Sequence, residues 1–214
     1  MDRNLSALVI HDIKNALALL EAELEILTRH PGMPDEAHKA HQRCVELKQR
    51  LVSFLTLYKH EQGALRPNLS ETDLPEFIED VLAASPSASS RHGRALRVEM
   101  DESRIRHAPD VKQRDMAMLD GYLVEMALES ALNNALRFAA SKVEVWFEQT
   151  ADAVSFLVQD DGPGLEHHPA GMPPSTGVGL ALCRAVIEAH GGGDVTLSSA
   201  PQGGALFRLT LRSV

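Results

Sequence analysis

Residues 143–164 read VEVWFEQTADAVSFLVQDDGPG. Val143, Val145 and Phe147 alternate along the first part, Val154, Phe156 and Val158 repeat the alternation, and the polar stretch 149–152 separates the two. A period of two on both sides of a turn predicts a β-hairpin that buries one face. The second strand runs into Asp160-Asp161-Gly162-Pro163-Gly164, where glycines let the backbone turn tightly and approach a ligand. An aspartate at such a strand end is placed to accept a hydrogen bond from an exocyclic amine.

Outward from the hairpin, residues 121–139 contain no Pro and no internal Gly and are rich in good helix formers, so they predict a helix. Residues 178–190 predict another, stopped by Gly191-Gly192-Gly193. Val195 and Leu197, a turn over 201–204, and Phe207, Leu209 and Leu211 predict a closing hairpin. Upstream, 74–84 reads as a helix, 85–93 as a Ser-rich loop and 97–100 as a strand. Helices and strands interleave without a regular βαβ rhythm, which predicts an α+β sandwich with its helices on one sheet face.

The first 60 or so residues differ in pattern. Ile10, Ile13, Leu17, Leu20, Leu24 and Leu27 recur at steps of three and four, and after a turn at Pro31-Gly32-Met33-Pro34 the series Cys44, Leu47, Leu51, Phe54, Tyr58 does the same. Two such helices form an antiparallel hairpin whose narrow seams need a second hairpin to cover them, which predicts a dimeric four-helix bundle and so a homodimer. The expected organisation is a helical hairpin over 1–62, a linker over 63–72 and a ligand-binding domain over 73–214.

Composition sets outer bounds. With 214 residues, 44% hydrophobic and 24% charged, the chain is ordinary globular material. A net charge of −9 argues against nucleic acid as a partner, because phosphate backbones demand a basic surface. Cys44 and Cys183 have no metal-ligand or redox spacing and read as reduced core thiols. No apolar run approaches the roughly 20 residues that span a bilayer, so the expectation is a cytoplasmic chain without membrane insertion.

Two further stretches carry chemistry. Gly177-Val178-Gly179-Leu180 opens directly into a helix, so free N–H groups and the helix dipole would face an anion. On the first helix His11 precedes Asp12, and Asn15 lies one turn on. A nucleophilic imidazole needs one free ring nitrogen with the other held as N–H, and an adjacent carboxylate helps to set that tautomer or to accept the proton. His167 and His168 read as polar surface of the segment after Leu165. His190 reads as a cation favoured at a helix C-terminus.

Taken in order, residues 127–139 with Asn134, the run 160–164, residues 176–182 and the closing Gly203-Gly204-Ala205-Leu206-Phe207 resemble the N, G1 and G2 boxes and final strand of the ATPase domain shared by histidine kinases, gyrase, Hsp90 and MutL. His11-Asp12-Ile13-Lys14-Asn15 resembles the H box of two-component sensor histidine kinases, the family the whole chain resembles most. The resemblance implies ATP and Mg²⁺ as ligands, with Asn134 on the metal, Arg137 near the phosphates, Phe138 against the nucleotide and Asp160 on the adenine amino group. Gly162, Gly164, Thr176, Gly177, Gly179 and Leu180 would shape the pocket and its lid hinges. His11 would be phosphorylated, Asp12 would assist, and Asn15 would support dephosphorylation of the response regulator.

Three positions depart from the family pattern. Ser130 stands where a second Asn is usual, Ala16 where Pro is common, and the segment between Leu165 and Ser175 carries no Phe-containing box and no Lys or Arg to meet a γ-phosphate. The resemblance thus implies an ATP-dependent protein-histidine kinase that autophosphorylates and passes the phosphoryl group to a response regulator receiver domain, with possible phosphatase activity. With only ten residues before His11, its input is expected from a separate sensor protein. A histidine phosphotransferase or scaffold with a degenerate ATPase-like domain stands as the alternative. A serine kinase acting as an anti-sigma regulator is a third reading, against which the helical hairpin and its His11 motif count.

Overall fold

The structure, a computed structural model, describes residues 3–28, 35–84, 96–165, 177–201 and 203–213; in the first two helices the side chains of residues 3–12, His11 and Asp12 among them, and of residues 14, 28, 35, 38, 39 and 42 lie outside the description. The turn expected at 31–34, the Ser-rich loop at 85–93 and the histidines at 167 and 168 also fall outside it. The chain divides into two compact units, Met1–Lys59 and His60–Val214.

In the first unit, α1 (Arg3–Thr28) and α2 (Asp35–Glu61) are long helices. Cys44 is buried and points its Sγ at the Leu17 carbonyl, 3.6 Å away, while Lys48 bonds Glu21. These contacts zip the two helices together. Much of the predicted seam stays uncovered, since Ile13, Leu20, Leu27, Leu47, Phe54 and Tyr58 are all exposed. The stripes exist, then, but one hairpin gives them nothing to bury against.

The second unit starts with β1 (Ser70–Asp73) and α3 (Leu74–Ala84), followed by β2 (Arg97–Met100), a 3₁₀ turn at Glu102–Arg104, β3 (Arg106–His107) and β4 (Met116–Leu119). After these come α4 (Gly121–Phe138), β5 (Lys142–Gln149), β6 (Ala153–Asp160), α5 (Val178–Ala189), β7 (Gly193–Ser199) and β8 (Ala205–Arg212). The main sheet runs β2-β5-β6-β8-β7, with β3 continuing along β5 beyond β2. β2 and β3 are parallel to β5, and every other pairing is antiparallel. β1 and β4 form a separate antiparallel pair. The elements at 74–84 and 97–100 fall where the sequence predicts them, as do both hairpins and the helices at 121–138 and 178–189. The strands β3 and β4 were not foreseen, because 106–107 and 116–119 are too short for a period to register.

Register explains the core. Phe147 lies opposite Phe156 and Phe156 opposite Leu209, while Val145, Val158 and Phe207 form the next row. All of these are buried beneath α3, α4 and α5. Phe77 of α3 meets Phe156 edge-on at 5.9 Å, and His107 meets Phe147 edge-on at 5.8 Å. The alternate residues form the opposite face. There Trp146 lies across from Leu157, and the Arg104 guanidinium stacks 3.4 Å from the centre of the Trp146 ring. Arg104 also donates to Gln159, Arg208 donates to Glu148, and the Ser155 and Thr210 hydroxyls pair at 2.8 Å.

Because Phe147 is fully buried between sheet and helices, Phe147→Ala is expected to cost about 3–5 kcal/mol through lost burial and the cavity left behind. Denaturant unfolding followed by circular dichroism measures it.

Candidate nucleotide site

α4 is started by Asp120, whose Oδ1 accepts from the Leu123 N–H at 3.1 Å, an N-cap of ordinary kind. Its buried positions, including Leu123, Ala127, Ala131 and Ala135, face the core and leave Asn134 exposed. At its end Arg137 lies 5.3 Å from the centre of the Phe138 ring, and both side chains are half-buried.

α5 starts at Gly177, which has φ of 70° and gives the helix no side-chain cap. The first turn therefore presents N–H groups that no side chain of its N-cap satisfies. Gly179 lies directly against α4. A Cβ placed on it would stand 2.5 Å from Ser130 Oγ and 3.8 Å from Asn134 Nδ2. Ser130 and Asn134 are thus beside the opening turn of α5, which is what a phosphate cradle with one flanking amide requires.

The third component is the end of β6. Asp160 is only 5% exposed and its Oδ1 accepts from the Gly162 N–H at 2.8 Å. Burial pushes its carboxyl above the usual carboxylate range, against the lowering effect of the Gly162 and Ala205 amides. A Cβ at Gly162 would run into the Phe138 carbonyl and Asp160 Oδ1, and one at Gly204 into the Asp160 carbonyl. Gly164 has φ of 79° and packs 3.3 Å, measured from where its Cβ would stand, from the Gly204 carbonyl. The end of α4, the loop after β6 and the turn before β8 are therefore held together by glycines.

Asp161 plays a different part from its neighbour. Its carboxylate accepts from the Ala140, Ser141 and Lys142 amides and from the Ser141 hydroxyl, tying the loop after β6 to the connection between α4 and β5. Desolvation would raise its pKa, but the Ser141 hydroxyl and amide and the Lys142 and Ala140 amides together bring it down to about 2. Sequence reasoning took the pair as one motif and missed this anchoring role. Of these donors only the Ser141 hydroxyl belongs to a side chain, and it lies 20 residues away in sequence, so no local signal marked the role.

Of the predicted site residues, the structure brings Asn134 and Gly179 together, and it gathers Phe138, Asp160, Gly162 and Gly164 around the end of β6. Gly177 and Leu180 belong to the opening of α5, whereas Thr176 lies outside the described residues. His11, Asp12 and Asn15 are on α1, in the other unit. A separate open groove lined by Glu71, Asp110, Lys112, Gln113 and Thr150 contains none of the predicted residues. No group of three or more His, Cys, Asp or Glu residues among the described ones is arranged to hold a metal.

His190 departs from its expected role. It is 2% exposed, its Nε2 accepts from the Asp120 N–H at 3.0 Å, and its Nδ1 lies 2.8 Å from the Val186 carbonyl. A backbone amide can only donate, so Nε2 carries no proton and Nδ1 does. The ring is neutral, not the helix-capping cation that its position suggested. Cys44 and Cys183 are both buried free thiols, and burial pushes Cys183 up to about 12.

Residues 120–214 match the model of the histidine kinase-, DNA gyrase B- and HSP90-like ATPase family. That match runs from the N-cap of α4 through β8, 95 of the chain's 214 residues. Over 97% of the chain, the Escherichia coli K12 sensor protein KdpD is 26% identical, and over 93% the sensor protein RstB of the same organism is 27% identical. The chain spans 24% of the length of KdpD and 46% of that of RstB. Among solved structures, the histidine kinase AdeS of Acinetobacter baumannii superposes with a TM-score of 0.59 at 23% identity, covering 95% of this chain and 98% of that one. Full-length ShkA in complex with AMPPNP gives 0.61 at 19% identity, covering 97% of this chain and 45% of that one. At these identities the solved structures establish the fold alone. The ATPase domain and the named relatives together support a two-component histidine kinase catalytic core. Among the described residues no helix is long and apolar enough to cross a membrane.

Two outcomes follow for the ATPase domain. Gly179→Ala should lower stability by about 1–3 kcal/mol through overpacking, and Ser130→Ala in the same chain should recover most of it, since the added Cβ would then be 3.8 Å from Ser130 Cβ. Chemical denaturation of the two single variants and the double variant checks this cycle. Asp161 has a folded pKa of about 2 against 3.8 ordinarily, so its contribution is complete above 3.8 and is lost as pH falls towards 2. Unfolding midpoints of Asp161→Asn measured between pH 5 and pH 2.5 should accordingly fall less steeply than those of the parent.

Proposed function

We propose that the chain is an ATP-dependent protein-histidine kinase, acting as a homodimer, that phosphorylates His11 and passes the phosphoryl group to an aspartate of a response regulator receiver domain. The observation that carries this reading is the seating of the α5 opening turn, Gly177 to Gly179, against Ser130 and Asn134. A turn without a side-chain cap beside a polar helix face suits the phosphates of ATP, and buried Asp160 suits its adenine amino group. The exposed seams of α1 and α2 support the dimer, because Ile13, Leu20, Leu47 and Phe54 otherwise face water. A separate sensor or input protein would supply the signal.

Mg²⁺, when bound, would neutralise charge on the phosphates, and the amide oxygen of Asn134 is the hard oxygen donor suited to it. The α5 amides would hold the β- and γ-phosphates, with Arg137 adding positive charge near them. A ring nitrogen of His11 would attack the γ-phosphorus, forming the N–P bond as the bond to the bridging β,γ-oxygen breaks and ADP departs. The proton of the reacting imidazole would pass to Asp12. Asn15 would later orient water for hydrolysis of the receiver's acyl phosphate.

The second reading, a histidine phosphotransferase with a degenerate ATPase-like domain, draws on Ser130 and on the absence of Lys and Arg from 166–176. One experiment separates the two. With γ-labelled ATP and Mg²⁺, the kinase should acquire acid-labile, base-stable label that His11→Ala abolishes and Asn134→Ala reduces by at least tenfold. Saturation with nucleotide without label would overturn the kinase reading in favour of the transferase.

A further inference from the structure

α4 and α5 lie antiparallel along one seam. Gly179 faces Ser130 and Asn134, the Cys183 Sγ lies 3.9 Å from the Ala127 carbonyl, and His190 holds the Asp120 amide. The meeting points are Gly179 with Ser130 and Asn134, Cys183 with Ala127, and His190 with Asp120. Between the His190 end and Asn134 the meeting side chains are small. Gly179, Cys183, Ala127 and Ser130 offer no large knob to stop one helix from sliding or rolling on the other, and burial itself is non-directional. The His190 bonds are directional. Nε2 reads a backbone amide at the start of α4, and Nδ1 is fixed on the α5 carbonyl of Val186, so the imidazole links the two helix backbones with no slack.

We infer that His190 is a positioning residue for the nucleotide site, acting from the far end of the α4–α5 seam. Fourteen residues of α4 separate Asp120 from Asn134, about 21 Å at 1.5 Å per residue. Both helices are continuous over that distance, so a register set at Asp120 is delivered to Gly179 and Asn134. With the His190 bonds removed, the Asp120 amide is left buried and unpaired, and the seam shifts until that amide finds water or another acceptor. The first turn of α5 then leaves its seat on Ser130 and Asn134. His190 touches no part of the cradle, and the inference rests on the reading of that cradle as a nucleotide site.

The test uses the full chain without nucleotide first. In His190→Leu, amide hydrogen exchange over 180–183 should quicken at least fivefold more than in Phe147→Leu, a sheet variant that lowers general stability. His190→Gln, whose amide offers one acceptor to Asp120, should restore much of the protection. Exchange that quickens only around 120–124 and 186–191 would overturn the inference, whether or not the chain binds ATP. Calorimetry with Mg²⁺-ATP then reads the consequence, an affinity expected to fall about tenfold in His190→Leu and to be largely recovered in His190→Gln. Absence of ATP binding by the parent chain would sink the nucleotide reading while leaving the exchange result to decide the seam. Should His190→Leu fail to fold, His190→Asn takes its place in both measurements.

Discussion

Around the end of β6 the backbone comes closer to itself than any side chain would allow. The Asp160 carbonyl occupies the space that a Cβ on residue 204 would need, and the Phe138 carbonyl does the same for residue 162. Hydrogen bonding to the Gly162 amide then fixes the Asp160 carboxylate within this ring of backbone. The price of such closeness is that two sites, 162 and 204, must be glycine, and the return is an acid held in place without another side chain to support it. The two adjacent aspartates diverge for the same reason. Asp160 is enclosed with little besides two amides to favour its charge, and Asp161 turns the other way onto a fan of donors at 140–142.

Much of this was legible in the sequence because the relevant signals are local. The alternation through Val143, Phe147, Val154 and Val158 marked the hairpin, and Gly191 with its successors marked the end of α5. The parallel pairing of β2 with β5 was not legible, since it depends on chain crossing forty-odd residues and no pattern within 97–100 encodes it. Nor was the proximity of Ser130 to Gly179. Ser130 read only as a departure from an Asn, and its place against the opening turn of α5 came from the structure.

His190 is instructive in another way. A histidine at a helix C-terminus is favourable as a cation when water surrounds it. Here the start of α4 covers it and supplies an N–H donor, which only the neutral ring can accept. Tertiary contact inverted the local electrostatic preference, and nothing within ten residues of His190 could have announced that. The hairpin unit teaches the converse. Its apolar steps were plain in the sequence, and the exposed Leu47, Phe54 and Tyr58 show that a correct helical period says nothing about what covers the stripe.

Trp146, the chain's one tryptophan, sits on the sheet face turned away from the helices, buried beneath the Arg104 guanidinium. Its indole is thus an optical reporter that nature has installed on the reverse side of the domain. Its emission will follow loss of the sheet and of the Arg104 stack during unfolding.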